Sequence, residues 1–342
     1  MGKDHYVPQF YLRNFEITPI PRRIQHNHIY SYKRNLSPIP LPIQSVAQEL
    51  DFDRFEVNEN GLDNETYNKL LKVSEDVAPS IISRIINDST FSISDKHKEA
   101  LSWFIALLAV RTPTAHKFLT EDILNFYEKI FKPKIQRDCV SNKQVIYEIL
   151  RLEQPDITDE EVEDTIKIFL ENNFYWEFIN NDNNKAYIRG FGVANLDFVV
   201  NDLMSKNWHL LVIEDDSFFI TSDNPVSFFF PRIERIENRS CYDCPILLPL
   251  SAKKALYIHH YKFFGNTIFL NKSQTDYFVK EIAKHANDFL YSNEKSNELK
   301  KFFDSTQFDL ANLNYKYVFV PYFQLKTLNK FAFKHLAETR ND

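Results

Sequence analysis

Residues 208–230 read WHLLVIEDDSFFITSDNPVSFFF, and this stretch decides the fold class because the hydrophobic period changes here. Short runs of β-branched and aromatic residues, broken by two polar turns, are typical of strands that follow one another along the chain. We expect a hairpin that pairs residues 209–214 with residues 218–221 around the Asp215-Asp216 turn. Further strands are predicted at 226–230, 246–250, 255–259 and 315–320.

Upstream of this stretch, from residue 65 to about residue 207, the pattern is helical. Apolar residues recur every three or four positions between residues 70 and 86, as on one face of a helix. A second helix has its apolar body at 101–110 and stops near Pro113. Thr158 begins a Thr-Asp-Glu-Glu capping box that starts another helix. Helices are also predicted at 115–131, 184–207 and 273–292.

The first 45 residues contain six prolines, which exclude a long helix because each proline fixes φ and removes a backbone donor. Residues 29–33 are predicted to form an edge strand. The sequence therefore predicts an α+β fold in a single large domain, residues 1–342. Its sub-regions are an extended or irregular N-terminal segment (1–64), a helical middle region (65–207), and a mainly antiparallel sheet with helices (208–342). The N-terminal segment joins the other two.

Glycine is scarce, with only 5 in 342 residues. Loops that bind phosphate through backbone amides need several glycines close together, since a Cβ would block the approach. Only Gly190 and Gly192 lie near each other, without a third glycine or the Lys-Ser/Thr of a P-loop. The sequence therefore argues against a Rossmann dinucleotide site and a P-loop, and it contains no nucleotide-cofactor motif.

Cysteine usage and hydropathy indicate a protein of the cytoplasm. The chain has 3 cysteines, and its first residues lack the apolar segment of a secretory signal. Its most apolar run, residues 104–110, is much shorter than the about 20 residues that a membrane span needs. We therefore expect a cytoplasmic location and no membrane partner.

Charge is unevenly distributed along the chain. The net charge is −6, but residues 1–40 carry six Lys or Arg against two acids. Basic side chains of this segment are candidates for contact with phosphate. A simpler interpretation is that the basic segment faces the acidic residues that follow it at 41–66.

The N-terminal motif, residues 5–15, reads HYVPQFYLRNF. In an extended segment, odd and even positions face opposite sides. This would put one face at His5, Val7 and Gln9, with Tyr11 and Arg13 following, and the other at Tyr6, Phe10 and Leu12. His5 is a candidate general base or acid because its ordinary pKa lies near neutral pH. The predicted substrate contacts in this part of the chain are Gln9, Tyr11, Arg13 and Lys33. Alternatively, the aromatic residues anchor the N-terminus in the core.

The second motif, Thr221-Ser222-Asp223-Asn224-Pro225, directly follows a predicted strand. Asp223 is a candidate to orient His5, to polarise a water or to bind a divalent metal, while Asn224 would donate to a developing negative charge. Ser222 is predicted to contact the substrate. The alternative is an Asx-turn, in which the side chains bind the local backbone.

Together the two motifs resemble a bacterial family catalogued as domain of unknown function 4238. The resemblance continues through Leu248-Pro249-Leu250-Ser251 and through residues 285–292, and it spans about residues 4–292. It implies that His5, Asp223 and Asn224 belong to one recurring constellation, but it implies no particular activity.

These features predict a hydrolase that acts on a phosphate-bearing substrate. The activity would resemble that of a nuclease, and the partner would be nucleic acid or a nucleotide. A role as a bacterial antiviral defence or toxin effector is a hypothesis that no residue demonstrates. Two alternatives stay open: a protein-interaction module without catalysis, including a homo-oligomer, and a small-molecule or nucleotide sensor that uses the same cleft. The identity of any metal also stays open, since the Cys241-Tyr-Asp-Cys244 spacing alone is a weak zinc signal.

Overall fold

The computed structural model describes residues 3–18, 27–50, 52, 64–117, 147, 151, 155–171, 196–228, 245–261 and 265–306. The predicted strand 315–320, most of the predicted helix 115–131 and the first part of the predicted helix 184–207 lie outside these ranges. Within them the fold is α+β, as the sequence predicts. No helix in the described ranges is long and apolar enough to cross a membrane.

The helices begin where the sequence supplies capping side chains. Ser94 accepts a hydrogen bond from the backbone of His97, and Asn271 forms a reciprocal capping box with Gln274. Thr158 and Glu161 bind each other's backbone N–H groups, which confirms the predicted capping box. The helices are α1 (Gln9–Leu12), α2 (Asn64–Asn87), α3 (Asp95–Val110), α4 (Asp159–Glu171), α5 (Leu196–Ser205), α6 (Lys272–His285) and α7 (Asn297–Ser305).

The strands form three sheets, and most neighbouring strands are antiparallel. A two-stranded sheet pairs β1 with β4, a five-stranded sheet has the order β10-β5-β9-β8-β7, and a four-stranded sheet has the order β3-β2-β11-β6. Only β10 and β5 run parallel among these described pairs. The strands are β1 (Lys3–His5), β2 (His28–Lys33), β3 (Ile39–Pro42), β4 (Gln48–Leu50), β5 (Asn207–Ile213), β6 (Thr221–Ser222), β7 (Ser227–Phe228), β8 (Ile246–Pro249), β9 (Lys254–His259), β10 (Thr267–Leu270) and β11 (Phe289–Ser292).

The predicted hairpin around Asp215-Asp216 is wrong, although the turn itself is present. The Asp215 carboxylate accepts a hydrogen bond from the backbone of Ser217, which reverses the chain. Strand β5 pairs with β9 and β10, whereas β6 pairs with β11 in the four-stranded sheet. Residues 217–220 therefore carry the chain from one sheet to the other, because a turn sequence fixes a reversal but not the pairing partner.

Two further predictions need correction. Strand β2 lies between β3 and β11, so residues 29–33 form an inner strand and not an edge. The predicted helix 273–292 ends at His285, and β11 follows after a short turn. The turn forms because a distant side chain binds its backbone, as described below, and the local helical pattern gives no sign of that contact.

The inner strands of the five-stranded sheet are buried on both faces. Leu210, Leu248 and Leu256 pack in the larger core, with the apolar faces of α2, α3 and α5 and the aromatic residues of the N-terminal motif. Their sequence neighbours Leu211 and Leu247 pack in the other core, with α6, α7 and the four-stranded sheet. This alternation explains why the strands appear as nearly continuous apolar runs in the sequence. It also places the N-terminal motif beside the α2–α3 helix pair.

Candidate functional site

Asp223 follows β6 directly and is buried, with 2% of its surface exposed. Its Oδ1 atom accepts a hydrogen bond from the Asn287 N–H at 2.9 Å. Its Oδ2 atom accepts from the N–H groups of Asp288 at 2.7 Å and Phe289 at 3.0 Å. Burial raises the pKa of Asp223 to about 7, against the lowering effect of the three amide donors. The carboxylate therefore shapes the turn at residues 287–289, which we call the Asp223 turn.

Asn224 and Ser222 are also fully buried, and their side chains bind backbone groups. The Ser222 hydroxyl accepts from the backbone N–H of Asn224 at 3.0 Å, so the local turn is made by the serine and not by the Asp and Asn side chains of the expected Asx-turn. The Asn224 amide donates to the His285 carbonyl at 3.0 Å, the last residue of α6. Its carbonyl oxygen lies 3.4 Å from the hydroxyl of Thr112. The contacts that the structure gives for this motif are structural.

The N-terminal motif reaches this region through its tyrosines. The Tyr11 hydroxyl, fully buried, donates to the Pro249 carbonyl at 2.7 Å and lies 3.0 Å from the Thr221 hydroxyl. Burial and the charge of Asp223 raise the pKa of Tyr6 well above its ordinary value. Tyr6, and not His5, is thus the neighbour of Asp223 in this motif.

His5, the last residue of β1, faces a different environment from Tyr6. The alternation predicted for the rest of the motif is wrong, because Gln9–Leu12 form α1 and are not extended. Its ring forms a hydrogen bond with the backbone of Gln44, and its charged neighbours are Arg111, Glu75 and Asp4. The Nε2 atom is buried and has no hydrogen-bond partner among the described residues. Burial is the main cause that lowers the pKa of His5 from its usual range. At neutral pH the imidazole is therefore uncharged and able to accept a proton.

Two of the charged neighbours of His5, Arg111 and Glu75, line a pocket between α2, α3 and the N-terminal segment, which we call the Arg111 pocket. With Glu75 in place its enclosed volume is about 10 Å³, room for about one water molecule. The guanidinium of Arg111 forms a 2.8 Å ion pair with Glu75. The lining residues are Pro8, Leu71, Ser74, Glu75, Phe104, Leu107, Leu108 and Arg111. A cation and a carboxylate thus meet on a largely apolar wall.

The remaining predicted substrate contacts are near the surface. Gln9 is half-buried at the start of α1, and Arg13 is exposed. Lys33 is exposed at the end of β2, with its ammonium 5.3 Å from the centre of the Phe289 ring. The substrate roles predicted for these residues, for Tyr11 and for Ser222 stay predictions, as do the catalytic roles of His5, Asp223 and Asn224.

The structure gives little support to a metal centre in the described part of the chain. No group of three or more His, Cys, Asp or Glu side chains there is arranged to hold a metal ion. Within the described residues, three backbone N–H groups donate to the Asp223 carboxylate and occupy both of its oxygens. Cys241 and Cys244 lie outside the described residues.

The sequence did not predict three residues of the Arg111 pocket as site residues: Ser74, Glu75 and Arg111. Arg111 follows an apolar helix, and the sequence favours a cation that interacts with the helix C-terminus. It does cap α3, donating its backbone N–H to Leu107, but its side chain lines the pocket. Ser74 and Glu75 lie in an ordinary amphipathic pattern on α2, which carries no signal of a pocket.

The comparisons with known proteins agree with the resemblance in the sequence. The model of a family described as "Protein of unknown function (DUF4238)" matches residues 3–296, which is most of the chain. The match includes both motifs and the Arg111 pocket. No curated protein and no solved structure matches the chain significantly. The chain therefore belongs to the DUF4238 family.

Proposed function

We propose that this protein is a hydrolase that acts on a phosphate-bearing substrate, with His5 and the Arg111 pocket as its reaction site. The observation that carries the proposal is the His5 Nε2 atom, which has no partner among the described residues and lies near the charges of Arg111 and Glu75. A ring held on one side by a backbone group is oriented for proton transfer on the other side. Its lowered pKa keeps it neutral, as a general base requires.

In this proposal His5 takes the proton of the attacking water, and water adds to phosphorus as the ester P–O bond breaks. The leaving oxygen then receives the proton from His5. The Arg111 guanidinium stabilises the negative charge on the phosphate oxygens, since charge-assisted hydrogen bonds are strong in an apolar setting. Without a substrate, the guanidinium forms the 2.8 Å ion pair with Glu75.

The substrate class that we propose is nucleic acid or a nucleotide. Exposed Arg13 and Lys33 lie on the N-terminal third of the chain and are available to contact further phosphates. A protein with this activity would act in the cytoplasm as an effector of bacterial defence or as a toxin. This part of the proposal holds only if the substrate is nucleic acid or a nucleotide.

The test is hydrolysis of single-stranded RNA, duplex DNA and nucleoside phosphates by the purified protein, with and without added Mg²⁺ or Mn²⁺. His5→Gln keeps a polar side chain of similar size but cannot transfer protons, so we expect a loss of about 100-fold or more in rate. His28→Gln, in the same segment, is the control and should retain full activity. Thermal unfolding of both variants shows whether they fold. Equal rates for His5→Gln and the wild type would refute the role of His5.

One observation favours a second candidate, an interaction module or nucleotide sensor without turnover. Asp223, Asn224, Ser222 and Tyr11 are all buried, and their contacts hold the fold together. A protein of this kind would bind a nucleotide or a protein partner and release no product. Calorimetric binding of a nucleotide by a protein that hydrolyses none of the substrates above would favour it.

A further inference from the structure

Ser74 lines the Arg111 pocket and is the least satisfied polar group there. Only 6% of its surface is exposed, and its hydroxyl is buried without a hydrogen-bond partner among the described residues. Leaving a buried hydroxyl unpaired costs about 1–3 kcal/mol. Such groups are rare in folded proteins and indicate a water or ligand that completes the hydrogen bond. Ser74 thus points to an occupant of the pocket.

The ion pair in the same pocket is asymmetric. The Arg111 side chain is 8% exposed, whereas the Glu75 side chain is 38% exposed. Arg111 is also fixed at the end of α3 by its backbone hydrogen bond to Leu107. The more exposed partner, Glu75, can leave by rotating into solvent.

The Glu75 carboxylate satisfies only part of the pocket. It accepts from the Arg111 guanidinium but has no hydrogen bond with its neighbour Ser74. A tetrahedral oxyanion has more oxygens than a carboxylate and can accept from the guanidinium and the hydroxyl together. The apolar wall, formed by Pro8 and by leucines and Phe104 of the two helices, strengthens these bonds by excluding water.

We propose that the Arg111 pocket is a subsite for a phosphate group, and that Glu75 occupies the place of that phosphate until the ligand displaces it. Glu75 is then an internal competitor that sets the affinity of the site. Ser74 donates to the bound phosphate and distinguishes it from a carboxylate. The inference rests on the proposed function for the nature of the substrate, but it concerns binding and not turnover.

The test uses inorganic phosphate as the probe, with calorimetry and with the rise in unfolding temperature as phosphate is added. Glu75→Gln removes the competing charge, and we expect it to bind phosphate about 10-fold more tightly than the wild type. Ser74→Ala loses one hydrogen bond and should bind about 3–10-fold more weakly. Arg111→Gln should abolish binding. Glu99→Gln, an exposed carboxylate on α3, is the matched control for the change in net charge.

The results separate this inference from the proposed function. Equal phosphate affinity in the wild type, Glu75→Gln and Glu99→Gln would overturn the competitor role, and no phosphate binding even in Glu75→Gln would overturn the subsite. If Glu75→Gln binds more tightly but no substrate is hydrolysed, the subsite stands and the hydrolase fails. If hydrolysis depends on His5 but Ser74→Ala and Arg111→Gln leave phosphate binding unchanged, the role of His5 in hydrolysis stands, whereas the subsite and the proposed role of Arg111 fail.

Discussion

The Asp223 turn and the Arg111 pocket contain similar residue types but differ in how their polar atoms are satisfied. In the Asp223 turn, both carboxylate oxygens accept from backbone N–H groups, and the neighbouring Ser222 and Asn224 side chains also have partners. Beside the Arg111 pocket, the His5 Nε2 and the Ser74 hydroxyl have none among the described residues. A saturated network has no hydrogen-bonding capacity left for a ligand, whereas an unsaturated one does.

The comparison teaches that residue type alone does not identify a site. An aspartate and an asparagine at the end of a strand are typical of catalytic sites, yet here they hold a turn against the end of α6. Serine and glutamate on an amphipathic helix look ordinary, yet Ser74 and Glu75 line a pocket. The useful signal is an unsatisfied polar atom next to a cavity, and it exists only in three dimensions.

The largest effect expected is for Asp223→Ala. This change leaves three partly buried N–H groups without their acceptor, and we expect a loss of about 3–5 kcal/mol in the free energy of unfolding. Urea unfolding measures it. Asp216→Ala, an exposed aspartate in a turn, is the control and should change stability little. A loss as small as that of the control would contradict the structural role of Asp223.

The pH dependence of stability tests the same carboxylate. Its pKa is about 7 in the folded protein and 3.8 in the unfolded chain, so its contribution to stability is present below pH 3.8 and disappears as pH rises through about 7. We expect the wild type to lose stability relative to Asp223→Asn over that window, because the asparagine does not titrate. Urea unfolding at a series of pH values gives the difference between the two curves.

Both proteins should also lose stability at acidic pH for the same reason, and this shared loss is the internal reference for that experiment. Burial and the stacked His209 ring lower the pKa of His259 to about 4, from an ordinary 6.5. Stability from His259 is therefore lost as pH falls from about 6.5 to 4 in the wild type and in Asp223→Asn alike. A difference curve that is flat across the whole range would show that Asp223 has the same pKa in the folded and unfolded states.

Tyr11→Phe should have an intermediate effect. The hydroxyl donates to the Pro249 carbonyl and contacts Thr221, so its removal leaves a buried carbonyl with one bond fewer. We expect a loss of about 1–2 kcal/mol in the free energy of unfolding. Tyr261→Phe, on an exposed tyrosine, should cost far less when measured in the same way. Similar losses for both variants would show that the hydrogen bonds of the Tyr11 hydroxyl do not stabilise the fold.

Local features of the fold were predictable from the sequence, and features that depend on distant contacts were not. The Thr158–Glu161 capping box forms as expected because both partners lie within one turn of helix. The end of α6 at His285 was missed, since the turn after it is held by Asp223, more than 60 residues away in the chain. The pairing partner of β6 was missed for a similar reason, because the sequence of a strand does not show which distant strand it pairs with.

The candidate site shows the same division. His5 and Tyr6 have different surroundings, but the alternation predicted through the rest of the motif fails because Gln9–Leu12 are helical. What each side chain meets depends on the packing of α2, α3 and β11, and the sequence alone could not supply that. Arg111 could be recognised as a residue at the end of a helix but not as the cation of a pocket, because Glu75 comes from a different helix.

The smallest effect, and the one that best separates the two regions, is expected for Ser74→Ala. Its buried hydroxyl has no partner among the described residues, so its removal breaks no described bond and takes away a desolvated polar group. Alanine is also the better helix former. We expect stability to stay the same or to rise by up to about 1 kcal/mol, measured by urea unfolding without phosphate.

Ser102→Ala is the matched control for that experiment. Ser102 is buried on the neighbouring helix α3, but its hydroxyl donates to the Lys98 carbonyl at 2.8 Å. Removing it breaks that bond, so Ser102→Ala should be less stable relative to the wild type than Ser74→Ala is. A gain in stability at Ser74 together with weaker phosphate binding is the pattern of a residue retained for a ligand. A loss at Ser74 equal to that at Ser102 would mean that the hydroxyl has a structural partner, and Ser74 would then belong with Asp223 among the residues that hold the fold.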